Sequence, residues 1–526
     1  MDKNIDQQRK RFWAKETIVA SKHYNRWLVP PAALAVHLCI GMAYGFSVYW
    51  LPMSTLIGQQ QPLFCPATLS FWQLLITDTC DWRIAQPGWI YTLFFIFLGC
   101  SAALWGSWLE KVGPRVVGVI ATCCWCGGLL IASLGVFIHQ LWLLWLGAGV
   151  IGGIGLGLGY ISPVSTLLRW FPDKRGMAAG MAIMGFGGGA VIGAPLADFL
   201  MRYFSEGPTA GVGQSLLVLA AIYFCYMLIG SLSYRIPADS WRPAGQVKRT
   251  TYHGVQIDVS AAVRKRQFWL LWLVLCLNVS AGIGILGIAS PLFQEVLGSN
   301  PAIKQIDIAT LAAGFIGLLS LFNILGRFFW ATLSDYLGRK LTFTLFFILG
   351  AAFYILIPWI VQVGNIPLFL IAFCIIISMY GGGFATIPAY LADIFGHKWV
   401  GAIHGRLLTA WSVAGITGPV LINYLREYQL ASGLVGGQVY QMSLYLLAGL
   451  LVIGLISNLL VKPLKNSSQN DWVQSLEDTL QTESRESLPA EVAISPLQLT
   501  ISWGIVLIPL LWGIYITIKQ MLLLFI

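Results

Sequence analysis

Thirteen stretches of this chain are apolar and long enough to cross a hydrocarbon layer about 30 Å thick, and nothing else in the sequence restricts the fold as much. Inside such a layer every backbone N–H and C=O must be bonded within the chain, so each run reads as a helix. Twelve fall into two groups of six: 28–52, 88–109, 115–137, 141–165, 178–201 and 214–234, then 267–290, 309–333, 341–362, 366–390, 405–425 and 438–461. A further run covers 499–518. Only 10% of the residues are charged, against about 25% in soluble domains. The expected class is an all-α polytopic membrane protein.

The charges that remain are sorted by side. Residues 1–27 carry Lys3, Arg9, Lys10, Arg11, Lys15, Lys22 and Arg26, and the run that follows is too long for a cleavable signal peptide. Lys111, Arg115, Lys174, Arg175, Arg339, Lys340 and Lys398 fall on the same side as that segment, with Arg242, Lys248, Arg249, Arg264, Lys265 and Arg266 in the central linker. The opposite loops hold only Arg83, Arg202, Lys304 and Arg426. By the positive-inside rule the N-terminus is cytoplasmic, and the expected location is a bacterial inner membrane. The net charge of +10 thus reflects topology and anionic lipid, and no folded basic domain is left to bind nucleic acid. Eight of the ten cysteines lie in spans and read as packing residues. Cys65 and Cys80 share the loop between the first two spans, where a disulfide and two free thiols are both compatible with the sequence. No metal, cofactor or enzymatic motif is apparent, and the chain is expected to work as a monomer among membrane lipids.

The two groups of six echo each other. "GSWLEKVGPR" at 106–115 and "ATLSDYLGRK" at 331–340 match Glu110 with Asp335, Gly113 with Gly338 and Arg115 with Lys340, at an offset of 225 residues. "WFPDKRG" at 170–176 and "IFGHKWVG" at 394–401 form a second echo. Parallel six-helix repeats build the major facilitator fold, so the expected organisation has six parts. These are an N-terminal segment (1–27), a first bundle (28–235), a cytoplasmic linker (236–266), a second bundle (267–461), a polar linker (462–498) and an additional helix (499–518). Glu110, Arg115, Asp335, Arg339 and Lys340 are candidates for latches that break and reform as the halves rock; the alternative is a solvated turn. Glycines crowd several faces of the fourth and fifth runs, which lets helices approach closely in lipid.

Arg327 stands apart. It lies eight residues, about 12 Å of helix, before Asp335, and an arginine at such depth costs at least about 2.5–3.5 kcal/mol against lipid. It is therefore expected to face the bundle interior. No Asp or Glu is expected within a span to neutralise it, and Asn323 one turn earlier offers only a hydrogen bond. A planar five-donor guanidinium in that situation suits a carboxylate; the alternative is a structural bond to backbone carbonyls. Tyr44, Tyr49, Trp50, Tyr160, Tyr380 and Trp411 are candidate lining residues, each also compatible with packing. His37 is a candidate protonation site, with simple helix packing as the alternative.

The segments "WFPDKRGMAAG", "FWLLWLVLCLNVSAGIGILGIASPLFQE", "NILGRFFWATLSDYLGRK", "YGGGFATIPAYLADIFG" and "GRLLTAWSVAGITGP" resemble the oxalate/formate antiporter family of major facilitator transporters, relatives of the monocarboxylate transporters. The resemblance covers the first twelve spans. It implies alternating access and transport of small carboxylates by exchange or proton symport, and it places the family's eighth-span arginine on Arg327. The eleventh-span lysine that serves an oxalate dianion falls on Trp411, which favours a monoanion carrying an apolar group. Where monocarboxylate transporters place an aspartate used in proton coupling, this chain has Asn323. The reading that follows is a secondary transporter of a monocarboxylate such as pyruvate, lactate or formate. Dicarboxylate exchange, export of another organic solute with a structural Arg327, and a transporter-like nutrient sensor are the alternatives.

Overall fold

The computed structural model describes residues 13–21, 24–58, 62–66, 68–171, 175–206, 210–238, 241, 257–298, 307–396, 399–464 and 496–524. Thirteen long apolar helices occupy them. We number these α1 (Arg26–Met53), α2 (Ala85–Val112), α3 (Pro114–Phe137), α4 (Leu141–Trp170), α5 (Arg175–Tyr203), α6 (Val212–Ser233), α7 (Arg266–Leu297), α8 (Ile308–Leu337), α9 (Arg339–Val363), α10 (Ile366–Phe395), α11 (Ile403–Ala431), α12 (Gly436–Leu460) and α13 (Pro496–Leu522). α1–α6 form one bundle and α7–α12 the other. They meet chiefly along two seams, α5 against α8 and α2 against α11. We call the side holding the start of α1 the basic face and the opposite side the far face.

The repeat in the sequence has a conformational cause. α2 ends at Gly113 with φ +87°, and α8 ends at Gly338 with φ +86°, both with strongly extended ψ. A side chain is barred from that backbone region, so glycine is required for the one-residue reversal into α3 and into α9. Pro114 then opens α3, where its missing N–H leaves no bond unmade.

Glycine also sets how closely the helices of the first bundle approach. A Cβ on Gly41 would stand 2.3 Å from the Phe186 carbonyl oxygen, and one on Gly189 2.4 Å from both the Leu38 carbonyl oxygen and Gly41. α1 and α5 are thus in backbone contact, and α1 winds as a tight 3-10 helix over Gly41–Tyr49 beside it. After one α-helical turn, α4 widens into a π-helical stretch, Trp145–Gly152, opposite Gly128 of α3.

On the far face, the chain between α1 and α2 is pinned by the Cys65–Cys80 disulfide. The fully buried Asp81 carboxylate accepts the backbone N–H groups of Ile57, Gly58 and Leu63 at 2.7–2.8 Å. Trp82 stacks on His139 at 3.9 Å, and a ring nitrogen of His139 lies 2.9 Å from the Cys80 carbonyl oxygen. α13 spans the full depth, running from the basic to the far face.

Leucine at Gly189 cannot be absorbed by side-chain adjustment, because backbone lies on the other side. Gly189→Leu is expected to cost about 1–3 kcal/mol or more and to lower the melting temperature of the purified protein. An unchanged melting curve would contradict the backbone contact.

Candidate functional site

Arg327 is 3% exposed and held by both halves. Its Nε donates to Asn323 Oδ1 at 3.1 Å on α8, and its Nη1 donates to the Ile183 carbonyl oxygen at 2.8 Å on α5. One turn beyond Ile183, a Cβ on Gly187 would stand 2.9 Å from Arg327 Nε, so glycine there leaves the guanidinium its room. Ser320 donates to the Gly187 carbonyl at 2.6 Å, tying the same turn of α5 to α8. Phe384 on α10 lies beneath the guanidinium at 5.8 Å. Among the described residues no carboxylate stands within ion-pairing distance of Arg327.

Acidic residues do occur within the helices, contrary to the expectation from the apolar runs. Asp198 lies inside α5, and α7 extends far enough to include Glu295. Both are engaged elsewhere: Asp198 with Arg202, Glu295 with Arg426 and the Tyr440 hydroxyl. Pairing allows these charges to sit near the far face without reaching the centre.

Beside Arg327 is a wall of rings drawn from both bundles. Tyr44 and Tyr380 share a hydroxyl–hydroxyl hydrogen bond of 2.8 Å across the halves. Trp411 packs at 4.5 Å from Phe384 and at 5.5 Å from each of Tyr160, Phe186 and Phe95. Arg327 stands close enough for its charge to act on the hydroxyls of Tyr44, Tyr160 and Tyr380. Tyr160 OH, Trp411 Nε1 and Asn323 Nδ2 are buried with no hydrogen-bond partner among the described residues. Groups left in that state lose about 1–3 kcal/mol each, so they mark places where another polar molecule would be welcome. His37 is fully buried, stacked on Tyr160 at 5.5 Å, with Nε2 3.2 Å from the Tyr160 carbonyl oxygen.

Two of the expected lining residues lie elsewhere. Tyr49 turns into the first bundle and bonds to Ser215 at 2.8 Å, because five residues from Tyr44 it points about 120° away from it around the 3-10 winding, as it would by about 140° in an α-helix. Trp50 donates to the Gly287 carbonyl at 2.6 Å and forms a strut between the halves on the far side of the Tyr44–Tyr380 pair. The candidate latch residues are also distributed differently. Arg339 pairs with Asp335 and lies 3.7 Å from Asp393, both within the second bundle. Lys340 caps α12 instead, donating to the carbonyls of Leu459 and Val461 at 2.8 Å. Arg115 is buried; the side chain of Glu110 lies outside the described residues.

Two ion pairs among the described residues join the halves on the far face. Arg202 of α5 pairs with Asp307, the residue capping α8, and Thr310 donates to Asp198 at 3.1 Å. Burial alone would raise the Asp307 carboxyl, but the Arg202 guanidinium holds it below the ordinary range. On the other seam Arg83 lies 3.6 Å from Glu427. These pairs flank a vestibule of about 900 Å³ lined by the far ends of α1, α2, α5, α7, α8 and α11. In the sequence these residues register only as loop charges, since pairing across 105 or 344 positions leaves no local signal.

Two six-helix halves, clasped around a central cation and a wall of rings, define a membrane carrier, not an enzyme. Residues 34–419 match the Major Facilitator Superfamily, and the chain belongs to that family. It is 24% identical over 396 residues to the oxalate:formate antiporter of Oxalobacter formigenes, covering 75% of this chain and 83% of that one. It is also 24% identical over 378 residues to apicoplast pyruvate carrier 1 of Toxoplasma gondii, covering 61% of this chain and 66% of that one. Among solved structures, a bacterial homologue of the human lysosomal transporter Spinster, inward-facing and unoccupied, superposes with a TM-score of 0.58 at 14% identity. That superposition covers 84% of this chain and 98% of the other. The protein is a secondary transporter of small organic molecules working through an alternating-access fold.

Arg202 is half exposed, so its pairing with Asp307 is worth on the order of 1 kcal/mol or less. Arg202→Gln is expected to speed amide exchange in residues 308–314 by about two- to fivefold, as measured by mass spectrometry. Unchanged exchange there would remove this pair from the closure of the far face.

Proposed function

We propose that the chain carries small monocarboxylates such as pyruvate, lactate or formate, with Arg327 as the carboxylate anchor. The observation behind this reading is a buried guanidinium at the junction of the halves with no carboxylate partner among the described residues. A carboxylate there accepts from the remaining guanidinium donors, which is the stronger kind of hydrogen bond. Asn323 and Ile183 orient the cation, and Gly187 leaves it room. Tyr160 OH and Trp411 Nε1 donate to the solute's oxygens, while the rings of Trp411, Phe186 and Phe384 cover its apolar part. Tyr44 and Tyr380 close the chamber from opposite halves. Trp411 brings no second positive charge, which favours a monoanion over oxalate.

Anchoring and gating are linked in this reading. Arg327 rides on the second half and its carbonyl partner Ile183 on the first, so an anion that draws the guanidinium changes a bond between the halves. With the basic face cytoplasmic, the far-face vestibule is the external entrance. His37 is the candidate for a proton carried with the anion. With Asn323 in place of a carboxylate beside the arginine, exchange of one anion for another is the simpler cycle.

In proteoliposomes, saturable uptake of labelled pyruvate should fall about ten- to a hundredfold in Arg327→Ala, the loss expected when a charged hydrogen-bond partner is removed. Arg327→Lys, which keeps the charge but not the fork, should retain part of it. Gly187→Val should raise the KM by crowding Nε. If Arg327→Ala carries pyruvate, lactate, formate and oxalate as well as the parent does, Arg327 is not the anchor. Stimulation by internal carboxylate marks exchange, whereas stimulation by an imposed pH gradient marks symport.

A further inference from the structure

α13 touches both halves, and its contacts with them lie at different depths. Toward the basic face, Val506 is buried against Leu34 and Ala35 of α1, beside Leu38, Met184 and Trp503. Midway, Gly513 lies against the backbone of α5: a Cβ there would stand 2.7 Å from the Val191 carbonyl oxygen. Nearer the far face the partner changes to α8 of the other half. Thr517, fully buried, sits in the space that a Cβ on Gly317 would need, with the Thr517 Cβ only 3.2 Å away. Gln520 and Met521 fill the corresponding space at Gly314, at 2.7 and 2.9 Å.

This arrangement is directional. α13 is seated on the first half along its basic and middle portions, and toward its far end it grips the second half at Gly314 and Gly317 of α8. When the halves part at the basic face, those contacts can all persist. When α5 and α8 part at the far face, Thr517, Gln520 and Met521 must leave Gly317 and Gly314. The Arg202–Asp307 pair and the Thr310–Asp198 bond close the same end of the same seam. α5 also presents neighbouring faces to the two partners: the carbonyls of Ile183 and Gly187 to Arg327 and Ser320, and Met184 and Val191 to α13.

We propose that α13 is an intramolecular clamp on the α5–α8 seam that holds the far face closed and biases the carrier toward the state open at the basic face. A contact made in only one of two states shifts their equilibrium by its full free energy, and couplings of this kind typically change populations about 5–150-fold. The inference does not depend on which solute is carried.

Ser290 of α7 provides a reporter. It is 1% exposed and one turn deeper than Gln294, which lines the vestibule. In Ser290→Cys a soluble maleimide can react only when the far face opens. With no solute present, labelling of the purified full chain is compared with that of Thr517→Phe, whose ring cannot fit against Gly317 but which leaves both bundles unaltered. A second comparison ends the chain after residue 465. Both changes should speed labelling about tenfold, within the range for such couplings, while elution volume and melting temperature show a folded core. Equal rates, or slower labelling in Thr517→Phe, would overturn the clamp. If the shortened chain fails to fold, Thr517→Phe decides alone. Because no solute is used, neither result bears on whether Arg327 binds carboxylates.

Discussion

Much of the centre of this protein is arranged around one buried guanidinium. Arg327 cannot face lipid without a large penalty, and among the described residues it has no carboxylate to neutralise it. It is tolerated because Asn323 and the Ile183 carbonyl accept from two of its nitrogens while Gly187 leaves the space that it occupies. Each of those partners constrains something else. The Ile183 bond draws α5 of the first half against α8 of the second, and Ser320 fastens the next turn of α5 to the same helix. The rings of Phe384, Trp411 and Phe186 then fill the low-dielectric surroundings in which a bound anion and a cation attract each other most strongly.

The bonds between the halves fall into layers with different jobs. A middle layer of short neutral contacts, Tyr44 with Tyr380 and Trp50 with Gly287, encloses the proposed anion chamber. Above it, Arg202–Asp307 and Arg83–Glu427 stand at the two seams on either side of the vestibule. Exposed pairs of this sort are individually weak, which suits contacts that are made and lost in every cycle. The buried Glu295–Arg426–Tyr440 group is different: all three residues belong to the second half, so it stiffens that half rather than gating the carrier. α13 adds a contact to the α5–α8 seam alone, making the two seams unequal.

The residues differ in how openly they announced their roles. Gly113 and Gly338 were visible as a repeat at 225 residues, and the structure supplies the reason: each occupies a backbone conformation closed to side chains. Arg327 was visible because a lone cation in an apolar run has few places to go. Lys340 was misleading. It aligns with Arg115 in the repeat but caps α12, because the nearest unsatisfied groups are the last carbonyls of that helix. Tyr49 was misleading too, since at five residues from Tyr44 neither α-helical nor 3-10 winding puts the two on one face. Phe186 and Phe384, which wall the chamber, look like ordinary apolar residues, and only their neighbours in "GFGGG" and "GGGFATIP" hinted at close packing.

By itself the sequence determined the class of fold, because length and apolarity leave a chain in lipid no option but helices, and two matching sets of six leave few ways to arrange them. It also determined that Arg327 must point inward. Only the tertiary structure decided what meets Arg327, which charges join the halves, and where α13 lies. Among these contacts, Arg202–Asp307, Thr310–Asp198, Arg327–Ile183 and Arg83–Glu427 link positions 105 to 344 residues apart, and the close approaches depend on glycines. A linear pattern marks the glycines but not the helix that each will meet.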